Sequence, residues 1–227
     1  MPGKGTLFVV ATPLGNLEDI TLRALRVLKE VESIACEDTR QTVKILNRFE
    51  IRKRLISYFQ PRERQRIPEI LGLLTAGKDV ALVSDAGTPG VSDPGFPLIR
   101  EALNQGIRIV PIPGPSALTA SLSAAGLPTH RVLFLGFPPP KKEATRKLLV
   151  SLAGEEATLV FYLPLRRTVE FLGSVIENVG DRKVVIAREM TKIHEEFIRG
   201  MASDLVASIG KRILKGEATV LIHGNRG

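Results

Sequence analysis

Two carboxylates and a guanidinium stand within one short stretch, Glu37-Asp38-Thr39-Arg40. Together they offer a proton acceptor, an orienting group and a clamp for an anion. A further carboxylate, Glu189, follows another apolar run. Three stretches rich in small residues and proline accompany them: 11–16 (ATPLGN), 84–95 (SDAGTPGVSDPG) and 113–117 (PGPSA). Glycine lets backbone approach a ligand closely and proline stiffens the approach. Main-chain N–H and C=O groups can then read the ligand, which suits a compact molecule with a carboxylate, an amine and a ribose. Each loop can equally be a plain tight turn, and Asp38 can equally be a helix N-cap. Three such loops on one sheet edge favour a shared pocket.

Those loops need a scaffold, and the hydrophobic pattern supplies one. Apolar runs at 6–11, 33–36, 80–83, 107–112, 132–137, 158–162, 183–187 and 218–223 read as strands, several of them apolar throughout and so buried on both faces. Helical patterns lie between them. Leu22, Leu25, Leu28 and Val31 recur behind Asp19 or Thr21 as N-cap, Ile67, Ile70, Leu71 and Leu74 precede Gly77, and Leu98, Ile99, Ala102 and Leu103 precede Gly106. The alternation predicts an α/β protein with largely parallel sheets. The proline cluster at 111–115 marks a boundary between two α/β domains, 1–113 and 114–227. In open α/β sheets ligands bind at the carboxyl ends of the strands, which is where all three loops fall.

Several chemistries are excluded. Neither G-x-G-x-x-G nor G-x-x-x-x-G-K-[ST] occurs, nor a G-x-S-x-G elbow. One cysteine, Cys36, gives no disulfide framework, and His130, His194 and His223 lack metal-ligand spacing, so no metal is expected. The apolar runs are shorter than the roughly 18–20 residues of a membrane span, and the N-terminus carries no cleavage pattern, so the expected location is cytoplasmic, with no membrane partner. Thirty-two Lys and Arg against twenty-four Asp and Glu give a net charge of +8. That points to a polyanionic partner, although aromatic residues, at 5%, are too few for a platform stacking many bases.

The combination of ACEDTR (35–40), ALVSDAGTPGVSDPG (81–95), PIPGPSALTASLSAAGLPT (111–129) and AREMTKIHEEFIRG (187–200) resembles the tetrapyrrole methylase superfamily over essentially the whole chain. Gly87-Thr88-Pro89 stands where the cobalamin and sirohaem methylases usually read G-D-P, which points to the ribosomal RNA branch. The resemblance implies S-adenosylmethionine as methyl donor, held in the cleft between two α/β domains of a homodimer. It implies cofactor contacts at Pro13, Asp85, Ala86, Gly87, Val91, Ser116, Ala117 and Tyr162. The implied substrate is the ribose 2′-hydroxyl of a decoding-centre cytidine in 16S rRNA of the small ribosomal subunit. Two stretches depart from the family pattern: FYLPLRR (161–167) replaces FYESPHR, and SYFQPRE (57–63) replaces SYHEHNE.

A protonated ribose hydroxyl is a poor nucleophile, so a general base would contribute about 10²–10⁴-fold. Glu37, Asp38 and Glu189 are the catalytic candidates, and Arg40 is a candidate phosphate or ribose contact. Arg52, Lys53, Arg54, Arg62, Arg64 and Arg66, with Tyr58 and Phe59 between them, form one basic cluster, of which Arg62, Arg64 and Arg66 are assigned to RNA. Lys141, Lys142, Arg146 and Lys147 form another. Two other readings share some of these features: a methylase of a tetrapyrrole-like acid, and a non-catalytic RNA-binding protein. The second of these leaves the glycine-rich loops without a purpose.

Overall fold

The computed structural model describes residues 3–210 and 216–225. The chain divides into two compact units, Met1–Ser116 and Ala117–Gly227.

The first unit is built on five strands: β1 (Thr6–Val10), β2 (Ser33–Cys36), β3 (Arg54–Ser57), β4 (Val80–Val83) and β5 (Arg108–Ile112). Their order is β3-β2-β4-β1-β5 and every pairing is parallel. Four helices connect them: α1 (Leu22–Glu30), α2 (Thr39–Arg48), α3 (Glu63–Thr75) and α4 (Phe96–Asn104). α1 starts where Thr21 Oγ1 accepts the Ala24 N–H at 3.1 Å, and it buries Ala24, Val27 and Leu28. Those residues and Ile45 and Leu46 of α2 pack on one face of the sheet, against Ile34, Cys36, Ala81 and Val83. Ile70, Leu71 and Leu74 of α3 and Leu98 and Ala102 of α4 pack on the other, against Leu7, Ala35, Val80 and Leu82. Alternate residues of β4 thus serve opposite cores, which is why its sequence is apolar throughout.

The second unit holds β6 (Val132–Gly136), β7 (Thr158–Pro164), β8 (Lys183–Arg188), β9 (Glu196–Met201) and β10 (Glu217–Ile222), in the order β6-β7-β10-β8-β9. Its helices are α5 (Ala117–Ala125), α6 (Lys142–Ser151), α7 (Thr168–Val179) and α8 (Ala202–Ile209). Here the expectation of largely parallel sheets fails. Only β6–β7 is parallel; β7–β10, β10–β8 and β8–β9 are antiparallel. The connection 189–195 is shorter than the dozen or so residues a parallel crossover needs, so β8 and β9 form a hairpin. Arg182 is a structural hub in this unit. Its buried guanidinium donates to the main-chain carbonyls of Val179, Glu155, Ala153 and His223.

Candidate active site

In the first unit, β1 and β4 are neighbours, yet the helices that follow them leave to opposite faces: α1 joins one core and α4 the other. The divergence opens a crevice at the carboxyl ends of these two strands, the preferred ligand position in an open α/β sheet. The loops 11–16 and 84–95 border it.

The loops are fastened to one another. Thr12 and Gly87 exchange two main-chain hydrogen bonds, of 2.8 and 2.9 Å. Thr12 Oγ1 donates to the Ser84 carbonyl at 3.0 Å, and Thr88 Oγ1 donates to the Pro115 carbonyl at 3.2 Å. The far end of the second loop is held where Glu63 Oε1 accepts the Gly95 N–H at 3.1 Å. Gly87 lies at φ +83°, and a Cβ there would come 3.3 Å from Leu14 Cδ2. Both of its main-chain polar groups are bonded to Thr12, so buried Gly87 fastens the two loops closely together rather than offering a ligand a hydrogen-bond donor. Thr12, Ser84, Thr88 and Glu63 were not among the sequence candidates. For Thr12, Ser84 and Thr88 the signal was a hydroxyl residue in a small-residue loop that follows a strand; Glu63, at the start of α3, carried none.

Asp38 begins α2 at the end of β2. Its Oδ1 accepts the Arg40 N–H at 2.8 Å, so it is the N-cap, and its Oδ2 meets Arg40 Nη2 at 2.8 Å. These bonds to Arg40 hold the Asp38 carboxyl down to about 2. The Asp38 N–H in turn donates to Asp85 Oδ1 at 3.0 Å, linking the ends of β2 and β4. Burial, the larger influence, raises the Asp85 carboxyl above its ordinary value. Burial also pushes the Cys36 thiol up to about 11, which keeps it protonated and unreactive at neutral pH.

The structure therefore gathers Pro13, Glu37, Asp38, Arg40, Asp85, Ala86, Gly87, Val91 and Ser116 along one edge of the first unit. Ala117, Tyr162 and Glu189 belong to the second unit. There Tyr162 and Ala187 flank Thr219 on neighbouring strands, which sets Glu189 near the same edge of that sheet as Tyr162. Tyr162 packs edge-on against Phe134 and Phe137, at 4.9 and 5.7 Å between ring centroids. Glu189 adopts φ 49° and accepts from Lys192 Nζ at 3.2 Å.

The residues of the basic cluster lie in different environments. Tyr58, expected on a basic surface, is fully buried: its N–H donates to the Cys36 carbonyl at 2.8 Å, and its ring joins the core beneath α3 and α4. Arg54 and Arg66 both bind Glu69, each at 2.8 Å, and Arg62 lies 5.8 Å from the Phe59 ring. Arg64 is exposed. Among the described residues no group of three or more His, Cys, Asp or Glu is placed to hold a metal, and no helix is long and apolar enough to cross a membrane.

The model of the tetrapyrrole (corrin/porphyrin) methylases matches residues 6–206. The chain belongs to the tetrapyrrole methylase family. Among its relatives is the ribosomal RNA small subunit methyltransferase I of Thermotoga maritima, 47% identical over 97% of this chain and 99% of that one. The protein of the same name from Halalkalibacterium halodurans is 44% identical over 98% of this chain and 77% of its own. Solved structures of the family share the fold: the methyltransferase CobJ at a TM-score of 0.74 and 20% identity, covering 98% of this chain and 97% of that one. The uroporphyrin III C-methyltransferase of Thermus thermophilus follows at 0.69 and 19%, covering 96% and 97%. The methyl donor of this tetrapyrrole methylase is S-adenosylmethionine. The residues at this edge suit such a molecule, since the half-buried Asp85 carboxylate at the end of β4 is an acceptor for an ammonium or a ribose hydroxyl.

Proposed function

We propose that this protein methylates ribosomal RNA of the small subunit, at the ribose 2′-hydroxyl of a decoding-centre cytidine in 16S rRNA. The observation that carries the reading is the 47% identity, over nearly the full length of both chains, to a protein named ribosomal RNA small subunit methyltransferase I. A cytoplasmic homodimer that needs no metal completes the proposal.

When bound, S-adenosylmethionine supplies a methyl group made electrophilic by its sulfonium. The chain's own residues do the rest. The braced loops 11–16 and 84–95 hold the donor, with Asp85 as hydrogen-bond acceptor and Pro13, Ala86, Gly87, Val91 and Ser116 shaping the wall. Ala117 and Tyr162 are assigned to the same ligand by the family resemblance. Alignment of the two reactants is worth roughly 7–11 kcal/mol of barrier. Asp38, held at a low pKa by Arg40, acts chiefly as an orienting group: it caps α2 and directs the exposed Arg40 guanidinium towards a phosphate or ribose. The hydroxyl proton passes to Glu37 or Glu189.

The test is transfer of a labelled methyl group to small subunits from cells lacking the modification, followed by mapping of the labelled nucleotide. Label on a cytidine 2′-oxygen, undiminished by EDTA, supports the proposal. Label only on a tetrapyrrole carboxylic acid, offered in parallel, would replace it with the small-molecule reading.

A further inference from the structure

Outside the crevice, α3 and α4 leave a groove of about 620 Å³ on the outer face of the first unit. Its apolar walls include Ile67 and Leu71 from α3 and Pro97 from α4, and Arg64 and Arg100 line it as well. Neither guanidinium takes part in an ion pair among the described residues, in contrast to Arg54 and Arg66 on Glu69. Arg100 lies 5.3 Å from the Phe96 ring, which leaves its N–H groups available. Glu101, the acidic lining residue, accepts from Asn104 at 3.4 Å.

The groove is continuous with the functional edge. α3 and α4 follow β3 and β4, and all strands of this sheet are parallel, so both helices begin at the edge that carries the ligand loops. The groove runs along both helices, from Arg64 and Pro97 in their first turns at that edge to Thr75 and Gln105 at their far ends. Its size is that of a small-ligand site, and its make-up is apolar walls with a few converging cationic donors. That composition matches a nucleotide whose base and sugar lie on apolar surface while its phosphates meet guanidinium groups.

We propose that this groove takes up an unpaired nucleotide of the substrate RNA, distinct from the one that is methylated. The base packs against Ile67, Leu71 and Pro97, and the flanking phosphates meet Arg64 and Arg100. The proposal rests on the reading of RNA as substrate and adds a second recognition point to it.

Gly72 gives a clean way to test it. It lines the groove, and a Cβ built there meets nothing within 4 Å, so larger side chains enter the groove rather than the core. The expected result is that Gly72→Phe raises KM for small subunits about tenfold or more, the scale of losing one packed base. kcat, S-adenosylmethionine affinity and melting temperature should stay at wild-type values, and Gly72→Ala should behave as wild type. The pair Arg64→Ala and Arg100→Ala should lower the slope of log affinity against log salt by about two, and Arg→Lys at both positions should restore it. Wild-type KM for Gly72→Phe, or an unchanged salt slope, would overturn the proposal. So would an effect seen with intact subunits but absent with protein-free 16S rRNA, which would assign the groove to a protein partner. If the wild-type protein methylates no RNA at all, the functional reading fails and this proposal with it.

Discussion

The two sheets of this protein solve the problem of presenting loops in different ways. In the first, five parallel strands send every carboxyl end to one edge, so the loops after β1, β2, β4 and β5 converge without special provision. In the second, β9 and β10 run against β6, β7 and β8, so Tyr162 and Glu189 share an edge with loops of opposite polarity. The first edge is braced by hydrogen bonds between loops, Thr12 to Gly87 and Asp38 to Asp85. The second unit instead places its densest polar network away from that edge, on the carbonyls around Arg182. The first unit thus ties its loops together at one edge, the edge proposed to bind the donor, and the Arg182 network of the second holds its own fold together.

The sharpest way to break this contrast is Arg182→Met. It strands buried carbonyls and should cost about 3 kcal/mol, roughly 6–12 °C in melting temperature, while S-adenosylmethionine affinity measured below the transition stays near wild type. A large loss of affinity with no loss of stability would reverse the roles assigned to the units. Gly87→Val should do the opposite. A β-branched residue at φ +83° beside Leu14 is strained and shifts both loops, so calorimetry should show about a hundredfold weaker donor binding, measured well below a melting temperature that falls by only a few degrees.

Asp38→Asn is expected to lower single-turnover methyl transfer by about tenfold. The helix cap survives, because asparagine caps as well as aspartate, but the charge that orients Arg40 is gone. Asp38→Ala should also lower the melting temperature, because it removes the cap. Wild-type turnover from Asp38→Asn would make the stretch purely structural and move attention to Glu189.

The smallest effect is in acid stability. The folded Asp38 carboxyl sits at about 2, below its ordinary 3.8. Its contribution is therefore complete above about pH 4 and is lost as the pH falls through 2. Asp85 has the opposite sign: its raised value means that ionisation costs stability as the pH rises past the ordinary carboxylate range. Acid unfolding of Asp38→Asn should be shallower than that of wild type between pH 4 and 2, and Asp85→Asn should be no less stable than wild type at neutral pH.

Legibility in the sequence followed the same division. β2 and β4 are buried on both faces, and their unbroken apolar runs gave their bounds directly. β3 and β9 escaped notice because both are edge strands, where charged and small residues such as Arg54, Arg199 and Gly200 interrupt the pattern. The direction of β10 was hidden too, since an apolar run carries no sign of which way its neighbours point. At the site, residue types located the loops, but the Thr12–Gly87 bridge joins residues far apart in the chain and has no local signature. Tyr58 misled because three arginines follow it closely, while its own position continues β3 into the core.

The central claim is that the crevice between the β1 and β4 loops holds the methyl donor. It is tested most directly by a crystal structure of the protein with S-adenosylhomocysteine. The account predicts ligand density against residues 11–16 and 84–95, beside Gly87 and within hydrogen-bond reach of Asp85. Density elsewhere, with those loops unchanged and their crevice filled only by water, would contradict it.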